Sequence, residues 1–241
     1  ARRAGAADPE RAGMALGVAA GDLAIFAALD EIAALEVEPA LGSALARRVG
    51  RELALVAAGQ LEDVALGANR RWPSRAEVLA VYTYKTARYT FSLPLACGAL
   101  LAGARPASVA RLDRLGELLG TVFQVLDDDL GMFGSEAETG KPVGADIREG
   151  KKTLLARELL RRAGAAERRR LAPLFGKRNL ARRDVEAVRE AAERLGARQA
   201  VLDAAARMAK DAERLVAGLR VAPEYRRVLR EICTASLGRR A

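Results

Sequence analysis

The chain has 241 residues, 51% of them hydrophobic and only 4% aromatic, which is enough for one large core without demanding two domains. Its formal net charge of +9 raises nucleic acid or an anionic substrate as a partner, although the charges lie in short, scattered blocks typical of a solvated surface. The absence of histidine excludes histidine-dependent triads and zinc–histidine sites. Two distant cysteines, Cys97 and Cys233, predict buried free thiols in a reducing cytoplasm.

Apolar residues recur at helical spacing along the whole chain, which predicts one all-α domain without strands or internal repeats. Ser74 and Glu77 form a capping box at the start of a helix that Pro94 is expected to kink or end. The segment 134–150 contains four glycines and a proline and is predicted to be an irregular, mobile loop. No charge-free apolar run reaches about 18 residues, so no transmembrane helix is predicted. The predicted helical stretches are 9–36, 43–68, 74–94, 95–103, 108–133, from 151 onward, 183–219 and 223–238.

Three consecutive aspartates, Asp127, Asp128 and Asp129, lie inside the apolar segment FQVLDDDLGMFG. Helical spacing places Gln124, Asp127 and Asp128 on one face, with Gly131 one turn beyond, while Asp129 points about 100° away from Asp128. Clustered carboxylates in apolar surroundings require cations, either a bound metal or neighbouring basic side chains. An exposed acidic helix face is the alternative, which the apolar neighbours disfavour.

The positions of the lysines independently indicate phosphate binding near these aspartates. The chain has six lysines, and four of them lie in the YKTARYT helix or follow the aspartates: Lys85, Lys141, Lys151 and Lys152. A chain that otherwise uses arginine gains from lysine a compact, movable charge that suits phosphate oxygens, although chance clustering is the alternative. Carboxylates for a hard metal ion followed by lysines predict a metal–diphosphate site.

Five segments carry a resemblance to a known family: FQVLDDDLG (123–131), TGKPVGADIREGKKT (139–153), YKTARYT (84–90), AAGDLAIFA (19–27) and GQLED (59–63). Together they resemble the trans-isoprenyl diphosphate synthase (polyprenyl synthetase) family, in the family's order, and look most like its actinobacterial geranylgeranyl and farnesyl diphosphate synthases. The resemblance implies an isoprenoid-synthase helix bundle around a central apolar cavity. It also implies Mg²⁺-assisted condensation of an allylic diphosphate with isopentenyl diphosphate to a C15 to C20 product. A cytoplasmic homodimer without stable membrane insertion and without nucleic acid is expected.

The resemblance assigns roles to individual charged residues. Asp127 is expected to ligate Mg²⁺ directly, and Asp128 to assist either directly or through water. Lys85 and Lys141 match lysines that contact the allylic diphosphate, and Lys151 matches the lysine of the following loop.

Further positions also match the family's motifs. Thr86 and Gln124 correspond to positions that stabilise the carbocation through side chain or backbone. Asp22, Gln60 and Asp63 are expected to be structural hydrogen-bonding residues on inward faces.

Two departures from the family pattern bear on function. Gly131 stands where the family's DDxxD motif has its third aspartate, a loss for which Asp129 is expected to compensate in part. The first Asp-rich motif is not found, so the range 1–241 is expected to be one isoprenoid-synthase domain lacking its N-terminal helices and unable to catalyse alone. A non-catalytic partner subunit, a class I terpene cyclase and a basic helical nucleic-acid binder are the alternatives. The last would require basic residues along one helix with stacking aromatics.

Overall fold

The computed structural model describes residues 7–140 and 142–237, and within these ranges the prediction of an all-α fold is confirmed, with no strand. The segments that are not α-helical include a π-helix, Tyr82–Ser92, and one 3₁₀ turn, Ala172–Leu174. The α-helices are α1 Pro9–Ala33, α2 Pro39–Ala68, α3 Arg75–Val81, α4 Leu93–Leu101, α5 Pro106–Phe133, α6 Glu136–Thr139, α7 Ala145–Glu149, α8 Leu154–Arg162, α9 Ala165–Leu171, α10 Arg182–Arg194, α11 Ala197–Ala217 and α12 Pro223–Leu237.

The chain divides into two compact units, residues 1–51 and 52–241. In the first unit α1 begins at Pro9 behind Asp8, whose side chain accepts a hydrogen bond from the backbone N–H of Arg11 at 3.1 Å. No residue of α1 is buried. Helix α1 is long and apolar enough to cross a membrane, with Asp22 within it. Core helices of soluble proteins meet the same criterion of length and composition.

Helix α5 is central to the second unit and packs against the π-helix, α11 and α4. Its apolar face is buried, with Leu115 and Val122 fully inaccessible to solvent. Two glycines of α5, Gly116 and Gly120, allow the π-helix to pack closely against α5. A Cβ atom at Gly120 would lie 2.3 Å from the Cα of Ala87, so no side chain can fit there without moving the backbone. A Cβ atom at Gly116 would likewise overlap the backbone of Ser92.

The helical run that begins after Ser74 differs from its prediction, because Pro94 does not end it. Helix α3 passes into the π-helix and then directly into α4, where Pro94 occupies the first turn. A first-turn residue does not need its backbone N–H, and the wider π turns shift the hydrogen-bond register just before the proline. The capping box of Ser74 and Glu77 is present as predicted.

Other predicted boundaries were also wrong. The stretch 183–219 is two helices, because Gly196 adopts a left-handed backbone (φ 66°) between α10 and α11. The segment 134–150 contains the short helices α6 and α7. Helix α8 begins at Leu154, since the side chain of Thr153 accepts a hydrogen bond from the N–H of Ala156 at 3.1 Å.

Candidate functional site

The three consecutive aspartates occupy three different environments. Asp127 is exposed and, within the described part of the chain, makes no hydrogen bond or ion pair. Asp128 is buried and faces the π-helix. Asp129 is also buried, on another side of α5, where Arg198 holds it through two hydrogen bonds of 2.9 and 3.1 Å. Asp129 is therefore paired with Arg198 on another side of α5 than Asp128, and its partial compensation for Gly131 stays a prediction.

Asp128 has one protein donor on each carboxylate oxygen. Gln124 donates to Oδ1 at 3.0 Å, as the shared helix face predicted, and the Tyr82 hydroxyl donates to Oδ2. Burial raises the pKa of Asp128 to about 7, although both hydrogen bonds act to lower it, and the nearby Asp146 and Asp127 carboxylates raise it further. A carboxylate in this setting gains most from a cation that compensates its lost hydration.

The π-helix contributes Lys85 and Thr86 to the same region. The hydroxyl of Thr86 donates to the side-chain oxygen of Gln124 at 2.8 Å, which extends the hydrogen-bonded chain from Thr86 through Gln124 to Asp128. Lys85 is ion-paired with Asp63 of α2. Asp63 is therefore a structural partner, as expected, whereas Asp22 and Gln60 are exposed and do not face inward.

These side chains surround a small cavity of about 60 Å³. Five of the predicted site residues line it, namely Lys85, Thr86, Gln124, Asp128 and Lys151. They come from the π-helix, from α5 and from the segment just before α8, so the cavity lies where three parts of the second unit meet. Asp127 is exposed on the same helix as Asp128. Lys141 lies outside the described residues.

Sequence reasoning missed Asp146, a buried residue of α7 that explains how the chain accommodates Gly131. A Cβ atom at position 131 would lie only 2.4 Å from Oδ2 of Asp146, so the Asp146 carboxylate occupies the space that a side chain at 131 would need. The other oxygen, Oδ1, is 2.7 Å from the ammonium of Lys151. A sequence signal existed, since Asp146 lies five residues before Lys151 within a quoted motif, but their pairing depends on the turn between them.

Sequence reasoning gave no role to Tyr82 and grouped Lys152 with the lysines expected near phosphate. Tyr82 is buried, and its pKa is held well above its ordinary value, first by burial and then by the charge of Asp128. Lys152 directs its ammonium to the backbone carbonyl oxygens of Asn69 and Arg71 and lies 5.6 Å from the centre of the Trp72 ring. Lys152 thus holds the segment before α3, and it also lines the cavity beside Lys151.

The carboxylates suit a hard divalent ion, although they do not form a closed cage. Among the described residues, no group of three or more Asp, Glu, Cys or His residues is placed to hold a metal. Mg²⁺ sites in proteins commonly use one or two carboxylates and take their remaining ligands from water and substrate phosphate. The buried Asp128, with its raised pKa, and the exposed Asp127 fit that pattern.

Comparison with known proteins confirms the resemblance seen in the motifs. A polyprenyl synthetase family model matches residues 1–228. Over 136 residues the chain is 35% identical to the geranylgeranyl diphosphate synthase of Saccharolobus solfataricus, a stretch covering 56% of this chain and 40% of that protein. Over 59 residues it is 49% identical to the geranylgeranyl diphosphate synthase of Mycobacterium tuberculosis, covering 24% of this chain and 17% of that protein.

A solved structure is also similar over nearly all of this chain. It is the geranylgeranyl pyrophosphate synthase of Corynebacterium glutamicum, in complex with isoprenyl diphosphate and magnesium, with a TM-score of 0.90 and 30% identity. The match covers 98% of this chain and 66% of that one. The chain therefore spans less than two thirds of the length of each of these relatives.

Proposed function

Because the chain belongs to the polyprenyl synthetase family, we propose that it provides the diphosphate-binding half of a prenyltransferase site. The substrates are an allylic diphosphate and isopentenyl diphosphate, and the product is a prenyl diphosphate of C15 to C20. The observation that carries the proposal is the convergence of Lys85, Thr86, Gln124, Asp128 and Lys151 on one cavity.

The proposed reaction makes one carbon–carbon bond. The C1–O bond of the allylic diphosphate breaks, and its electron pair leaves with the diphosphate. The C=C bond of isopentenyl diphosphate then attacks C1, and a proton from that substrate passes to the released pyrophosphate. No histidine is needed, since the leaving group itself is the base.

Lysines hold the leaving group in this scheme. Lys85 and Lys151 line the cavity as ammonium donors, and we assign Lys141 to the same diphosphate from its motif. Lys85 is paired with Asp63 and Lys151 with Asp146, so a carboxylate directs each ammonium at the cavity. Charge-assisted hydrogen bonds to phosphate oxygens stabilise the charge that develops as the C1–O bond breaks.

Asp127 and Asp128 are assigned to Mg²⁺, whereas Asp146 is paired with Lys151. When bound, the metal supplies Lewis-acid stabilisation to the leaving diphosphate. Gln124 and Tyr82 keep the Asp128 carboxylate oriented toward the cavity.

Thr86 and Gln124 are assigned to the carbocation. The hydroxyl proton of Thr86 is committed to Gln124, so the lone pairs of the Thr86 oxygen are available to a positive charge in the cavity. An oxygen dipole fixed in advance stabilises a cation without the cost of reorienting a solvent molecule.

The test compares lysine variants in the longest natural polypeptide that contains these 241 residues. Lys85→Ala and Lys151→Ala are expected to weaken binding of Mg²⁺–pyrophosphate by about tenfold or more, since a hydrogen bond to a charged group contributes about 1.5–3 kcal/mol. Lys210→Ala, on the exposed side of α11, is the matched control and should bind as wild type does. Equal binding by all three variants would contradict the proposal.

Product analysis separates the alternatives. A synthase forms a longer prenyl diphosphate only when both substrates are present. A class I terpene cyclase consumes the allylic diphosphate without isopentenyl diphosphate. A non-catalytic subunit binds Mg²⁺–pyrophosphate but gives no product in either assay.

We also propose a cytoplasmic homodimer. The exposed apolar side chains of α1 support a protein partner for that helix: Met14, Leu16, Val18, Leu23 and Phe26 are each more than 60% exposed. Sedimentation velocity is expected to give twice the monomer mass, and flotation with lipid vesicles is expected to leave the protein in solution. A monomer that floats with vesicles would instead assign α1 to a membrane.

A further inference from the structure

Tyr82 is the residue that joins the three parts of the candidate site. It is the first residue of the π-helix and is 6% exposed. Its hydroxyl donates to Asp128, 46 positions away on α5, and accepts a hydrogen bond of 2.8 Å from the backbone N–H of Leu154, 72 positions away. One hydroxyl therefore connects the π-helix, α5 and the start of α8.

The direction of the hydroxyl proton is fixed by these neighbours. A backbone N–H can only donate, so the Tyr82 oxygen must accept from Leu154, and the single hydroxyl proton is left for the Asp128 carboxylate. Leu154 is the first residue of α8, and its N–H is one of the helix-end donors that has no partner within the helix. The hydroxyl satisfies that donor and orients the carboxylate at the same time.

The connection matters because Lys151 lies in the segment that leads into α8. Asp128 and Lys151 come from different parts of the chain yet line one cavity. Thr153 fixes the beginning of α8 through its side-chain cap, and Tyr82 ties that beginning to Asp128. The distance between the carboxylate and the ammonium of Lys151 thus depends on the Tyr82 hydroxyl.

We propose that Tyr82 is a positioning residue for diphosphate binding, whose hydroxyl sets the orientation of Asp128 and its spacing from Lys151. This inference rests on the proposed function, because it requires Asp128 and Lys151 to engage the same metal–diphosphate group. Tyr82 also lines the cavity, but its hydroxyl donates to Asp128 and accepts from Leu154, so the proposed effect on diphosphate acts through those two partners.

The primary variant is Tyr82→Phe, which keeps the buried ring and removes only the hydroxyl. Tyr84→Phe is the matched control, because Tyr84 lies on the same π-helix with its side chain 41% exposed. Thermal unfolding establishes that each variant folds. Exchange of the Leu154 amide proton is expected to accelerate in Tyr82→Phe and to remain at the wild-type rate in Tyr84→Phe. An unchanged rate in Tyr82→Phe would overturn the proposed connection.

Pyrophosphate binding by calorimetry, with Mg²⁺ and with EDTA, distinguishes positioning from a general loss of stability. Tyr82→Phe is expected to weaken Mg²⁺-dependent binding about tenfold while leaving the weak binding in EDTA, which depends on the lysines, unchanged. In an Asp128→Asn background the same change is expected to have no further effect, because Tyr82 acts through Asp128.

The outcomes separate this inference from the function on which it rests. A wild-type chain that binds no Mg²⁺–pyrophosphate would overturn the proposed function and this inference with it. Wild-type binding that Tyr82→Phe leaves unaltered would overturn the inference alone. Full additivity of Tyr82→Phe and Asp128→Asn would also overturn it, since independent effects exclude action through Asp128.

Discussion

The neighbouring residues Asp128 and Asp129 on α5 have different hydrogen-bond partners, because each side chain faces a different part of the fold. Asp129 meets Arg198, which also lies 3.8 Å from the centre of the Phe133 ring. Asp128 meets neutral donors and, among the residues that the structure describes, has no cationic partner. A buried acid paired with arginine serves stability, whereas a buried acid held only by neutral donors is available to an incoming cation.

This difference predicts distinct phenotypes for conservative substitutions. Asp129→Asn should lower the free energy of unfolding by about 1.5–3 kcal/mol, since it weakens two charge-assisted hydrogen bonds and leaves Arg198 with Glu193 as its carboxylate partner, while metal affinity per folded molecule stays near wild type. Asp127→Asn and Asp128→Asn should show the reverse, with Mg²⁺–pyrophosphate binding weakened and stability little reduced. Urea denaturation and calorimetry measure the two quantities. A loss of Mg²⁺–pyrophosphate binding in folded Asp129→Asn would contradict the assignment.

Gly131 and Asp146 form an interdependent pair, because the carboxylate of one fills the space beside the other. Introducing the family's aspartate as Gly131→Asp should therefore destabilise the fold by about 2 kcal/mol or more, through overlap and repulsion between like charges. The double variant Gly131→Asp with Asp146→Ala should regain part of that stability. Gly98→Asp, where nothing lies near the new Cβ atom, is the control. If Gly131→Asp is no worse than Gly98→Asp, the two residues do not compete for space.

At the scale of elements, the contact between the π-helix and α5 determines the geometry of the cavity. Gly116 and Gly120 are one turn apart on α5, and both face backbone atoms of the π-helix. That close approach sets the 2.8 Å hydrogen bond between Thr86 and Gln124. Small residues at this interface are thus a functional requirement as well as a packing one.

Gly120→Ala is expected to separate these two helices. The new methyl group would lie 2.3 Å from the Cα of Ala87, so the π-helix must shift, at a cost of about 1–3 kcal/mol. Binding of Mg²⁺–pyrophosphate should weaken as Lys85 and Thr86 move with their helix. Gly98→Ala on α4 has open space at the new Cβ and should instead stabilise by up to about 1 kcal/mol through helix propensity. Equal stability of the two variants in urea would rule out a close-contact role for Gly120.

Helix α8 carries an acid-sensitive network around Glu158, a buried residue that accepts hydrogen bonds from Arg161 and Arg162. The Arg161 hydrogen bond is the largest influence that lowers the pKa of Glu158, which falls from 4.5 to about 2. The stabilisation is therefore present above pH 4.5 and is lost as the pH falls toward 2. Because both arginines are partly exposed, we expect a contribution of about 1–2 kcal/mol.

Glu158→Gln tests this pH dependence. The stability difference from wild type should be constant from pH 7 to about 5 and should shrink between pH 4.5 and 2, as measured by urea denaturation. Glu190→Gln, an exposed position on α10, serves as the control. A difference between wild type and Glu158→Gln that persists unchanged at pH 2 would show that the network stabilises by packing alone.

For the whole molecule, the presence of one Asp-rich motif is expected to limit the reaction that residues 1–241 carry out by themselves. The 241 residues contain one Asp-rich motif, and the described residues place no closed metal cage around it. Ionising an allylic diphosphate requires stabilisation of charge around the whole leaving group, and each missing donor costs about 3–4 kcal/mol. A cavity of about 60 Å³ also provides little room for a prenyl chain.

Residues 1–241 alone are therefore expected to bind Mg²⁺–pyrophosphate but not to condense dimethylallyl and isopentenyl diphosphates. Product analysis with labelled isopentenyl diphosphate measures turnover, and calorimetry measures binding in the same preparation. If the native polypeptide carries a first DDxxD motif upstream of these residues, that longer polypeptide is the comparison and should form longer prenyl diphosphates. Efficient condensation by residues 1–241 would show that they build a complete site.

The sequence by itself determined the helical class, because helix formation depends on local information, and its motifs predicted site residues of which five line one cavity. Helix hydrogen bonds join residues four positions apart, so periodicity identifies helices, and the same spacing predicted the Gln124–Asp128 contact. The left-handed backbone at Gly196 and the π turns before Pro94 were missed, because apolar periodicity continues through such local changes of backbone.

Only the tertiary structure decided which partner each site residue meets. The Tyr82–Asp128 and Asp129–Arg198 contacts span 46 and 69 positions, so they depend on how whole helices pack across the core. Asp146 filling the space beside Gly131 depends on the turn that brings α7 back to α5. Helical spacing specifies the face on which a side chain lies. The element that approaches that face is set by burial of apolar surface throughout the unit, which is not a local property of the chain.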